Sequence, residues 1–148
     1  MPACRLPLAV LFAFALLASS ACSRQKGPEL TAPEAYAQAQ AGTLMLIDIR
    51  HPSEWRDTGV AAEAARIDMT QAQGEAGFVA KVNALMKDNK QHPIGLLSLA
   101  GNRGRNAQQV LQHAGYTRVY NISEGMAGNR AGPGWIARGL PLQACPDC

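Results

Sequence analysis

Ser98-Leu99-Ala100-Gly101-Asn102-Arg103-Gly104 lies between an apolar run, Ile94 to Leu99, and a segment with helical spacing from about Arg105 to His113. Gly101 and Gly104 let the backbone bend sharply and turn successive N–H groups inward. The helix that follows adds unpaired N–H groups and the positive end of its dipole. Arg103 and Arg105 add charge, and a guanidinium can grip an oxyanion at two points. A sulfate-like, thiosulfate-like or phosphate-like group suits such a cradle. An ordinary strand-to-helix turn with solvated arginines uses the same residues, and spacing alone does not separate the two.

Other chemistry-bearing residues are sparser. Asp48 and Arg50 sit at the end of a second apolar run, where a salt bridge or a turn cap is a more natural role than direct chemistry. Cys145-Pro146-Asp147-Cys148 has the spacing of a small disulfide. The same CxxC spacing serves redox enzymes, but there it opens a helix after a strand, a setting this segment lacks. His51, His92 and His113 show no metal-ligand spacing, so neither metal nor cofactor is expected. Gly125, Gly128, Gly132 and Gly134 lack the Lys and Ser/Thr of a phosphate-binding P-loop. Trp55 and Trp135 read as core or loop anchors.

The elements that must position these groups alternate. Thr31-Ala32-Pro33-Glu34 has capping-box spacing, and the Ala-rich run that follows stops at Gly42. Leu44 to Ile49 is apolar apart from Asp48, as for a strand buried on both faces. A loop holding Pro52 and Gly59 leads towards Met69, then Phe78, Val79, Val82, Leu85 and Met86 recur at helical spacing. Ile94 to Leu99 is the next strand candidate and Arg118 to Ile122 the third, followed by a Gly-rich stretch around Trp135. This order predicts an α/β fold: one domain over residues 31–142, with a mainly parallel central sheet flanked by helices. In such sheets ligands bind beyond the carboxyl ends of strands, which singles out the turn at Ser98.

The first 21 residues read as a signal peptide: Arg5, an apolar run from Leu6 to Ala18, then Ser19-Ser20-Ala21 before Cys22. The run is broken by Pro7 and is short of the roughly 20 residues that span a bilayer. Leu16 to Cys22 is similar to a bacterial lipobox, with Ser19 where Leu is usual, so Cys22 is a candidate for lipidation. Cysteine parity favours this over simple secretion. If Cys22 carries lipid, Cys145 and Cys148 are left as a pair. Residues 22–30 then form a tether, and residues 143–148 a CxxC tail. The protein is expected in the periplasm or held at a bacterial envelope membrane through Cys22 alone. The formal charge of +3 over 148 residues is too weak and dispersed for a nucleic-acid partner. The oligomeric state is not legible.

Ile94 to Val110 resembles the active-site segment of the rhodanese family, whose usual form is Cys-x-x-Gly-x-Arg-Ser/Thr. Gly101, Asn102 and Arg103 match, Ser98 replaces the Cys, and Gly104 replaces the hydroxyl residue. Leu46-Ile47-Asp48-Ile49-Arg50 with Glu54-Trp55 and Gly59 resembles the family's first block, with Val60 where His is usual. Val119 to Ile122, Glu124-Gly125-Met126 and Gly139-Leu140-Pro141 resemble its closing block.

The resemblance implies a sulfurtransferase scaffold with Asp48 and Arg50 bordering the pocket, in which a cysteine thiolate carries sulfane sulfur as a persulfide. Ser98 cannot do this, because a hydroxyl is far harder to ionise and forms no persulfide. No His–Asp pair is evidently placed in the sequence to activate it. The favoured reading is a silent module whose loop holds a small oxyanion or a partner's acidic group. The alternatives are a sulfurtransferase or redox enzyme using Cys145 and Cys148, and a structural part of an envelope assembly.

Overall fold

The computed structural model describes residues 27–70 and 73–148. The signal peptide, Cys22 and most of the expected tether lie outside the described residues.

Seven strands and five helices follow in the order β1 (Glu29–Leu30), α1 (Ala32–Gln40), β2 (Met45–Asp48), α2 (Pro52–Thr58), β3 (Val60–Ala61), β4 (Ala64–Arg66), α3 (Gly74–Met86), β5 (Ile94–Leu97), α4 (Asn102–His113), β6 (Val119–Ile122), α5 (Gly134–Ala137) and β7 (Leu142–Gln143). The main sheet has the order β1-β6-β5-β2-β4, and every pairing in it is parallel. β3 and β7 form a separate antiparallel pair.

The central strands are apolar on both faces, and their alternation assigns side chains to two cores. Ile47, Ile49, Ile94, Leu96 and Val119 pack with Phe78, Val82 and Met86 of α3 and Ala107, Val110 and Leu111 of α4. On the other face Leu46, Leu97 and Ile122 meet Ala32, Ala35 and Ala39 of α1, together with Met126 and Trp135. Helix α1 starts as its sequence predicts. Thr31 is the N-cap, and the Glu34 carboxylate accepts from the Thr31 N–H at 2.8 Å.

The strand order fixes where a site can form. After β2 the chain moves outward to β4. It then crosses back by α3 to β5 and continues on the other side of β2. The reversal lies between β2 and β5, so the segments leaving their carboxyl ends diverge and open a crevice. Asp48 and Leu97 sit side by side on that last rung, with Arg66 beyond Asp48.

Three local expectations change. The stretch after Ile49 is not only loop: Pro52 at N1 and Glu54 at N3 start α2, a signal present in His51-Pro52-Ser53-Glu54. Helix α4 begins at Asn102, so Asn102, Arg103 and Gly104 are its first turn rather than the end of a loop. Glu29 and Leu30, placed in the tether, are a strand paired with Asn121 and Ile122, and Gln143, placed in the tail, pairs with Val60.

Candidate functional site

The turn from β5 to α4 is short and pinned. Ser98 to Gly101 make the bend, and Gly101 has φ +77°, with the Ser123 carbonyl where a side chain would stand. The Ser98 carbonyl accepts from the Met126 N–H at 2.9 Å, and the Leu99 carbonyl from the Ala127 N–H at 2.8 Å. Asn129 Nδ2 donates to the Ala100 carbonyl at 2.8 Å. The segment after β6 thus straps the turn from behind.

Ser98 is fully buried, and its Oγ accepts from the N–H of Gly104 at 3.2 Å. That donor belongs to the first turn of α4, so the hydroxyl satisfies one of the helix's orphan N–H groups. At the same turn Gly104 lies against Asn121, whose side-chain oxygen occupies the space a Cβ would need. Asn121 is buried, and its side-chain nitrogen and oxygen have no hydrogen-bond partner. A hydroxyl residue at 104 does not fit beside it.

Arg103 does not point free charge into a cradle. Its two terminal nitrogens donate to the two carboxylate oxygens of Glu54, at 2.7 and 2.6 Å. Glu54 also accepts from the His51 N–H at 2.9 Å. Partial burial raises its carboxyl pKa, but the Arg103 hydrogen bonds, the His51 N–H and the charges of Arg103 and Arg50 outweigh that and hold it below the usual range. Arg105 is drawn sideways to Glu29 at 3.5 Å.

Asp48 and Arg50 are both fully buried. Arg50 Nε donates to Asp48 at 2.9 Å, and Nη2 reaches Asp48 at 2.7 Å and the Gly59 carbonyl at 2.8 Å. Nη1 donates to Thr58 Oγ1 at 2.8 Å and the Glu54 carbonyl at 3.2 Å. All five guanidinium N–H groups are thereby engaged, and Arg50 ties the middle and the C-terminal end of α2 to Asp48 of the sheet. Asp48 and Arg50 thus support the site from beneath, through the placement of Glu54.

Sequence reasoning missed two partnerships here. His51 Nδ1 lies 3.3 Å from Asp68 and 3.0 Å from Thr70 Oγ1, forming a His–Asp contact at the rim of α2. Ser98 does not share it: the His51 ring meets Asp68 and Thr70, and the Ser98 hydroxyl accepts from the Gly104 N–H. Glu124 is the other: fully buried, it accepts from the N–H groups of Ala32 and Gly134, each at 2.8 Å, and from Arg138 Nε. Burial raises the Glu124 carboxyl, yet Arg138 and the two N–H groups bring it below its ordinary value. No spacing rule joins residues 32, 124 and 134, so neither contact carries a local signal.

At the surface the turn shows Leu99, 40% exposed, and Asn102. Beside them Glu29, Ala100, Asn102, Arg105, Asn129 and Arg130 line a shallow groove of about 320 Å³, in which Glu29 stands 3.5 Å from Arg105. Cys145 and Cys148 form a disulfide, Cα–Cα 5.4 Å, against Arg66 at the opposite flank of the β2–β5 crevice. His92 and His113 stand apart, and no cluster of metal-ligating side chains occurs among the described residues.

The family model of the rhodanese-like domain matches residues 31–131. The chain belongs to the rhodanese-like domain family. An uncharacterized protein of Rickettsia prowazekii is 27% identical over 100 residues, covering 66% of this chain and 81% of the relative. Among solved structures, the Rv0390 protein of M. tuberculosis is 28% identical with a TM-score of 0.61, covering 80% of this chain and 98% of that one. The rhodanese-like domain of the Alr3790 protein of Anabaena sp. has the same fold, with a TM-score of 0.62 at 20% identity and coverage of 82% of each chain. The single α/β domain with a parallel central sheet is the fold this chain shares with the Anabaena rhodanese-like domain.

Proposed function

We propose that this rhodanese-like protein is a binding module without the ordinary thiosulfate sulfurtransferase activity, engaging an oxyanion or a partner's acidic group at the Ser98–Arg103 turn. The observation that carries the reading is the state of Ser98. Sulfur transfer needs an ionised sulfur that a donor can reach, whereas this position holds a buried hydroxyl committed to the Gly104 N–H. The turn is intact without that chemistry, because backbone bonds from residues 126 and 127 hold it.

A free small oxyanion meets competition at Arg103, whose charge Glu54 already balances. Leu99 and Arg130, at the rim of a groove in which Glu29 already meets Arg105, favour a larger partner that presents an acidic group beside an apolar one. Export belongs to the same reading and rests on residues 1–22. Incorporation of labelled fatty acid that Cys22→Ala abolishes is its expected signature in a bacterial host.

The test is a thiosulfate:cyanide assay of the wild type and Ser98→Cys. No turnover is expected from the wild type, and a persulfide visible by intact mass after thiosulfate treatment is expected from the variant. Any wild-type turnover would overturn the reading, and its loss in Cys145→Ser/Cys148→Ser would assign it to the tail thiols.

A further inference from the structure

The disulfide Cys145–Cys148 is built into the fold. β7 pairs with β3 in register, Val60 opposite Gln143 and Ala61 opposite Leu142, and this lays residues 144–148 across the end of α2 and the end of β4. Arg56 Nη1 donates to the Cys148 carbonyl at 2.7 Å. Arg66 Nη1 lies beside both Cys145 Sγ and Cys148 Sγ, so one guanidinium nitrogen meets both sulfurs. Arg66 forms no ion pair among the described residues, and the sulfurs are its hydrogen-bond partners.

Access matches this arrangement. Cys145 lines two open grooves. One of about 410 Å³ lies against Arg56, Gly59 and Leu142, and one of about 330 Å³ lies against Val60, Ala64 and Arg66. Structural disulfides resist reduction, whereas exposed ones are the labile, exchanging kind. Here a guanidinium stands beside both sulfurs, and Cys145 borders an open groove on two sides. A positive charge beside a thiol lowers its pKa, stabilises the reduced form and makes the sulfur a better leaving group.

We infer that Cys145–Cys148 is a thiol–disulfide exchange site, with Arg66 as its positioning and thiolate-stabilising residue, that accepts two electrons from a dithiol. A partner thiolate attacks the Sγ of Cys145, the cysteine that lines both grooves. The Cys145–Cys148 bond breaks, a mixed disulfide forms on Cys145, and Cys148 leaves as a thiolate held by Arg66. The partner's second thiol gives its proton to solvent and attacks the partner sulfur of the mixed disulfide. Cys145 departs as a thiolate and the partner is left oxidised. This activity is independent of Ser98 and of whatever the Ser98 turn binds.

The test equilibrates the folded protein with reduced and oxidised glutathione and reads the peptide containing both Cys145 and Cys148 by mass after alkylation. Arg66→Gln, at an exposed position, is expected to shift the equilibrium towards the disulfide by about tenfold, equivalent to ~30 mV. In the reduced protein, thiolate absorbance should titrate at higher pH in Arg66→Gln, and Arg66→Lys should recover part of both effects. An equilibrium and a thiolate titration that are the same in wild type and Arg66→Gln would make the bond a mere staple and overturn the inference.

Discussion

Arg103 and Glu54 face each other as two parallel forks, with both guanidinium nitrogens on both carboxylate oxygens. The pair crosses the crevice between the strands that carry α2 and α4, and it occupies the charge an anion would need. Glu54→Gln removes the competing charge while keeping side-chain shape. By isothermal titration, sulfate or thiosulfate should bind about tenfold more tightly to this variant than to wild type, a difference of ~1.4 kcal/mol. Adding Arg103→Ala should erase the gain. Equal affinity in all three proteins would remove Arg103 from any role in anion binding.

Acid should act on stability through the carboxylates. Glu54, Asp68 and Glu124 all have pKa values below their ordinary ones in the folded protein. Their contribution is fully present above the unfolded-state pKa of about 4 and is lost as pH falls through the lower folded values. Urea midpoints should therefore fall as pH is lowered below about 5. Glu124→Gln should flatten that slope, because it removes the carboxylate that ties Ala32, Gly134 and Arg138 together.

Ser98→Ala tests whether the hydroxyl is a helix cap. It leaves the Gly104 N–H without its acceptor in a buried position, and ~1–2 kcal/mol of stability should be lost in chemical denaturation. A change within error would show that water takes the hydroxyl's place and that the cap contributes nothing.

Arg50→Ala should be far costlier. It strands the buried Asp48 carboxylate and frees the C-terminal end of α2, for a loss of ~3–5 kcal/mol. Asp48→Asn/Arg50→Met should recover part of this, since neither residue is then charged. Denaturant midpoints of the single and double variants decide the matter.

Gly104 and Asn121 should behave as one unit. Gly104→Ser restores the hydroxyl type usual in the rhodanese pattern, but its Cβ meets the Asn121 side chain. The single variant should be destabilised, and Gly104→Ser/Asn121→Ala should be more stable than additivity allows. An additive cycle would mean that the two side chains do not compete for the same space.

How much of this was legible in the sequence depends on the range of each interaction. The strands at Leu46, Leu96 and Ile122 and the cap at Thr31 follow from local pattern, and the structure has them. Three ordered blocks sufficed for the rhodanese family. Helix α2 was missed although Pro52 and Glu54 announce it, because the small and glycine-flanked residues around it looked like loop. The pairing of Arg103 with Glu54 spans 49 positions and that of Ala32 with Glu124 spans 92, and no periodicity reports either. Charge was therefore visible in the sequence while its neutralisation was not. Arg66 beside the two sulfurs was hidden for the same reason, since only the β3–β7 pairing brings residues 66 and 145 together.

Strand β1 has a mechanical consequence. A chain pulled ahead of Pro28 would load the two-residue pairing of β1 with β6 first, helped by the Gln108 side chain on the Pro28 carbonyl. Those few bonds would yield before the apolar core is disturbed, and Ala32 on Glu124 is the next catch along the line of force. Peeling β1 would also carry Glu29 away from Arg105, loosening one wall of the groove beside Leu99. A pull ahead of Pro28 would thus be felt beside the turn that bears Ser98.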